Sequence, residues 1–102
     1  MDYYEIRKSE RAISKVLKYL RMKKDYTQMV VAIKLNMGAS TVSSHENMRS
    51  IPDTYTLVKY IMLYGISLAE FFHMVQYIAD NNTPTVIHSD ITKEAAIFSL
   101  TG

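Results

Sequence analysis

Apolar residues recur at helical spacing over most of this chain, and the polar residues between them mark where each helix starts and stops. Ile6, Ile13, Val16, Leu17 and Leu20 fall on one face of a segment whose other face carries Lys8, Arg11, Lys15 and Lys18. That pattern predicts a first helix over about 3–22. Asp2 and Glu5 have capping-box spacing at its start. After a polar link, Thr27 is placed to cap a second helix over 28–35, on which Val31, Ala32 and Leu35 share a face. Asn36 tolerates the left-handed backbone of a sharp turn, and Gly38 then opens a third helix over 39–47. Pro52 bars helix continuation, and Asp53 or Thr54 caps a fourth helix over 54–64. Gly65 supplies its stop, with Ile66 placed to fold back. Ser67-Leu68-Ala69-Glu70 is a capping box that opens a fifth helix over 68–79, which carries Leu68, Phe71, Phe72, Val75 and Ile78.

Beyond residue 79 the pattern changes. Asp80-Asn81-Asn82-Thr83-Pro84 reads as a turn or linker, Thr85-Val86-Ile87 as a short strand, and 90–100 as a last amphipathic helix. The expected organisation is an all-α, five-helix domain over 1–79 with a C-terminal extension over 80–102 that serves dimerisation. A length of 102 residues suits one modest core. The chain has no cysteine, which excludes disulfides and thiolate metal sites and suits a reducing cytoplasm. Its acidic, aromatic start does not have the form of a signal peptide, and no window approaches the ~18 apolar residues of a membrane span.

Charge sharpens the picture. The net charge is only +2, yet residues 7–59 hold eleven of the twelve basic residues against four acids, a local +7. Such a segment suits a phosphate backbone, although lysines that merely solvate the first helix would give a similar count. Within it, two short helices meet at a tight turn, the arrangement of a helix-turn-helix whose second helix lies in a DNA groove. On a wheel at about 100° per residue, Ser40, Ser43, Ser44 and Asn47 cluster opposite Val42. A core helix pair explains the apolar positions but not an outer face made wholly of short polar side chains, where a solvated helix more often carries Lys and Glu. Val30 and Ile33 project about 150° away from the buried face of the second helix. They are either tolerated surface apolars or a surface covered by residues 83–100 or a partner subunit.

The run from Leu20-Arg21 through Thr27-Gln28, Val31-Ala32, Leu35, Met37, Thr41-Val42-Ser43, Glu46, Pro52 and Leu57 to Gly65-Ile66-Ser67-Leu68-Ala69-Glu70-Phe71-Phe72 resembles the phage-repressor and Cro type of helix-turn-helix, the XRE family of bacterial transcription regulators. The resemblance covers about half the chain and needs no gap between Thr27 and Glu46. It implies that Gln28 contacts a phosphate and braces the recognition helix, and that Ala39, Ser40 and Ser44 occupy base-reading positions. Thr41, Ser43 and Asn47 would touch backbone or base edges, Arg49 would meet phosphate, and Arg21 would pair with Glu46 to bridge the first and third helices. Three positions depart from the family pattern. Asn47-Met48 stands where a glycine turn is usual, Gly38 replaces a capping serine, and the base-reading positions carry no Arg, Gln or Lys. Bidentate base contacts, at about 1–3 kcal/mol each, are therefore not available there.

His45, His73 and His88 are scattered without ligand-spaced partners, so no metal is expected, and no cofactor or enzymatic constellation can be assembled. His45 takes a position where the family has an apolar packing residue, and a half-buried histidine is expected. Tyr60 and Tyr64 share a face of the fourth helix, while Phe72 and Tyr77 are candidates for an interface. The expected function is a cytoplasmic, nucleoid-associated repressor that binds double-stranded DNA as a homodimer. The rival is a protein-interaction module, of the antitoxin or anti-repressor-target kind, that binds a regulatory protein partner and uses the helix-turn-helix only as scaffold.

Overall fold

The computed structural model describes residues 2–81, and these are all-helical: α1 (Tyr3–Lys23), α2 (Gln28–Leu35), α3 (Ala39–Glu46), α4 (Thr54–Tyr64) and α5 (Leu68–Asn81). The extension expected to hold a strand and a helix lies outside the described residues, as does the idea that residues 83–100 cover α2.

Each helix begins where a side chain satisfies one of the backbone N–H groups that a first turn leaves without a partner, except α3. Asp2 Oδ1 accepts from the Glu5 N–H at 2.9 Å, Thr27 Oγ1 from Val30 at 3.1 Å, Asp53 Oδ1 from Thr56 at 2.8 Å, and Ser67 Oγ from Glu70 at 3.0 Å. Gly38 opens α3 with no side-chain cap. Helix α4 ends on Gly65 in the left-handed region (φ 73), whose N–H reaches the carbonyls of Ile61 and Met62.

Helix α1 runs against α5 and also touches α3 and α4, while α2 packs against α3 and α4. Their shared core is formed by Val16, Leu17, Val31, Val42, Tyr60, Ile61 and Phe71, all essentially without solvent contact. The Tyr60 and Tyr64 rings stack at 6.2 Å between centroids. Burial of these side chains, at roughly 1.5–3 kcal/mol each, holds the short α2 and α3 in place, since neither is long enough to be stable alone.

Three expectations change. Ile6 was placed on the buried face but is 44% exposed, as the first turns of α1 reach past the described core and also leave Tyr3 and Tyr4 bare. Helix α5 continues two residues past Ala79, where Gln76 donates to Asp80 Oδ1 and Asn81 to the Tyr77 carbonyl, bonds that suit another half-turn. Asn47 closes α3 as its C-cap instead of belonging to it.

Candidate nucleic-acid interface

The turn between α2 and α3 is made by one residue in the left-handed conformation. Asn36 (φ 56) directs its N–H to the carbonyls of Ala32 and Ile33, and the Met37 N–H reaches Ala32 O at 2.9 Å. A short polar side chain tolerates this region better than a branched one. The turn is anchored from outside: Lys59 Nζ, on α4, donates to the Leu35 carbonyl at 3.0 Å. A cation there meets an otherwise open carbonyl at the negative end of α2.

A clamp sets the orientation of α3. The Glu46 side chain is 2% exposed and accepts from Arg21 Nε at 2.8 Å and Nη2 at 3.1 Å, and from Gln28 Nε2 at 3.0 Å. The same guanidinium donates through Nη1 to the Tyr26 carbonyl at 2.8 Å. One carboxylate at the end of α3 thus ties together the end of α1, the link after it and the start of α2. The fork of the arginine matches the two carboxylate oxygens, a geometry a lysine cannot reproduce.

His45 lies beneath α3 and is buried (6% exposed), deeper than the half-buried state its sequence position suggested. Its Nδ1 lies 2.8 Å from the Tyr60 hydroxyl and its ring meets Tyr60 edge-on. Burial, the larger influence, pushes the imidazole pKa below its ordinary value, against a smaller opposing pull from the Asp53 carboxylate. Burial likewise raises the Tyr60 and Tyr64 phenols far above theirs.

With Val42, His45 and Glu46 turned inward, α3 presents Ser40 and Thr41 exposed, and Ala39, Ser43 and Ser44 half-exposed. Asn47 is exposed, but its Nδ2 donates to both the carbonyl and the hydroxyl of Ser43. Arg49 follows on an exposed turn, its backbone N–H bonded to the Ser44 carbonyl. The turn is built on Met48 in the left-handed region (φ 61), the conformation that glycine adopts without strain. Gln28, Ala39, Arg21 and Thr27 all line one open cleft.

Residues 17–71 match the model of a helix-turn-helix family. The chain belongs to that helix-turn-helix family, of the XRE type. The family match spans α2, the turn, α3 and the clamp that fixes them, more than half of the chain. The chain is also 43% identical over 56 residues to the HTH-type transcriptional regulator ImmR of Bacillus subtilis (strain 168), a stretch that makes up 55% of this chain and 44% of that protein. It therefore spans less than half the length of that relative. No solved structure matches the chain.

Sequence reasoning missed the contacts of Lys59, His45 and Tyr60 within this helix-turn-helix unit. Each joins α4 to α2 or α3 across 15 to 24 residues. Of the candidate interface residues, Ile33 is 71% and Phe72 46% exposed, so both leave apolar surface open to solvent. Val30 and Tyr77 are half-buried.

Proposed function

We propose that this protein is a sequence-specific DNA-binding transcriptional regulator that inserts α3 into the major groove. The observation that carries this reading is the outward face of α3: short hydroxyl side chains on a helix whose inner face is pinned through Glu46 by Arg21 and Gln28. Membership in the helix-turn-helix family and the similarity to a transcriptional regulator support it. Ala39, Ser40, Thr41, Ser43 and Ser44 approach base edges and sugar-phosphate. Arg49 and the free carbonyl side of Gln28 lie at the flanks, where phosphates pass. The basic excess between residues 7 and 59 attracts the duplex without regard to sequence. The protein acts as a homodimer on two half-sites about one helical turn apart and represses by occupying its site.

Fluorescence anisotropy tests the reading, with a random-sequence duplex and DNA from upstream of the protein's own gene titrated at two salt concentrations. The upstream duplex binds more tightly, salt weakens both, and Ser40→Glu with Ser44→Glu abolishes the binding. No binding to either duplex at micromolar protein would overturn it. A second reading is favoured by one observation, the exposed Met29 and Ile33 on α2, at 58% and 71%. It makes the molecule a module that binds another protein through α2, and the same titration separates the two.

A further inference from the structure

The outer face of α3 carries an unusual restriction: the side chains that normally tell one base pair from another are absent or already engaged. Arg21 donates three side-chain hydrogen bonds, two to Glu46 and one to the Tyr26 carbonyl. The Gln28 amide donates to Glu46, and the Asn47 amide donates to Ser43. What remains on α3 itself is the hydroxyls of Ser40 and Ser44, with that of Ser43, which already accepts from Asn47; a hydroxyl both donates and accepts and so fits any base edge about equally. Two methyl groups flank this hydroxyl stripe. Thr41 lies on one side, exposed, and Ala39 on the other, half-exposed beside the cleft that Gln28 also lines. The Thr41 hydroxyl turns back over the helix start, 3.6 Å from where a side chain at Gly38 would begin. Its methyl branch therefore occupies a different staggered direction.

In the major groove one base pair differs from the others by an apolar feature, the C5-methyl of thymine. We infer that Thr41 and Ala39 read thymine methyl groups, so that the target half-site is selected by its thymines and not by bidentate hydrogen bonds. The inference rests on the proposed insertion of α3 into DNA and deepens it by naming the class of site. It also sets the scale of discrimination. Each buried methyl contributes about a three- to fourfold preference, less than an arginine on guanine supplies, so thymines at several positions must add to give a specific site.

The test begins with selection of bound duplexes from a random pool by the full chain. Each thymine of the selected half-site is then replaced by 2′-deoxyuridine, which removes the methyl and leaves the pairing edge unchanged. The wild-type protein loses about three- to fourfold in affinity at the contacted thymines. Thr41→Ser keeps the hydroxyl, lowers affinity for the thymine duplex by the same factor, and erases the uracil penalty at one position while leaving the others. Circular dichroism of Thr41→Ser verifies that the fold is unchanged. A selected site centred on guanine, uracil replacements without effect, or a full set of penalties retained by Thr41→Ser would each overturn the inference while leaving DNA binding intact. Failure to enrich any duplex would instead overturn the proposed function itself.

Discussion

Removing the Glu46 carboxylate should weaken the fold by an amount its surroundings fix. Glu46 is almost fully enclosed and accepts three side-chain hydrogen bonds, two from Arg21 and one from Gln28. Among the described residues, Glu46→Ala leaves a guanidinium that is 13% exposed with only the Tyr26 carbonyl as partner, and a Gln28 amide with none. Breaking a buried pair from one side costs about 3–5 kcal/mol, and the residual exposure of Arg21 puts this site near 3 kcal/mol. With a urea slope of about 1–1.5 kcal/mol per molar for a domain this small, the unfolding midpoint falls by roughly 2–3 M. Arg21→Met should cost a similar amount, because it strands the carboxylate. The double variant Arg21→Met/Glu46→Leu, with neither charge left behind, should recover at least about 2 kcal/mol of the summed loss. Urea denaturation followed by circular dichroism measures all three. Additive single effects, or a midpoint for Glu46→Ala within about 0.5 M of wild type, would refute the clamp as the element that holds α3.

Tyr64 places a buried hydroxyl with no hydrogen-bond partner among the described residues, so Tyr64→Phe should stabilise the fold by about 1 kcal/mol in the same denaturation assay; a loss of that size would mean the hydroxyl is partnered. Met48 holds φ 61, and Met48→Gly should relieve strain of about 1–2 kcal/mol at an entropic cost of about 0.5–1 kcal/mol, a small net gain in melting temperature, while Met48→Val should lower it sharply. His45 is buried with its pKa below the ordinary 6.5, so the unfolded chain takes up the proton first on acidification. Its contribution to stability is therefore complete above about pH 6.5 and is lost as the pH falls from there toward the folded-state value. Urea midpoints between pH 5 and 8 should show this slope for the wild type and a flatter one for His45→Gln. Gly38 opens α3 uncapped at an ordinary φ, where a side chain would meet only Thr41 Oγ1 and Ser40 Oγ at 3.6 and 3.7 Å, so Gly38→Ser should raise stability by a few tenths of a kcal/mol.

The parts of this fold that could be read from sequence are those decided within one turn of helix. Asp2, Thr27, Asp53 and Ser67 each cap a helix through a bond to the residue three positions on, and Gly65 closes α4 through the residues before it. Contacts between distant segments were less legible. Lys59 looks like a surface lysine in sequence, and only the approach of α4 to the end of α2 turns it into a cap for the Leu35 carbonyl. The depth of His45 depends in the same way on Tyr60, which lies beneath it from another helix. Ile6 was misjudged because periodicity reports a helix face but not how far along it the neighbouring helices reach. For α3, the wheel separated inward Val42 from the outward serines, yet it could not show that the Asn47 amide is tied to Ser43.

The central claim, that the serine face of α3 lies against DNA, is open to a direct chemical measurement because the chain has no cysteine. Ser44→Cys places a single thiol on that face, and Glu70→Cys places one on the exposed start of α5. Alkylation rates of each are compared with and without saturating duplex. The account predicts that DNA slows the reaction at position 44 at least tenfold and leaves position 70 unchanged. Equal rates at position 44 with and without bound DNA would contradict it.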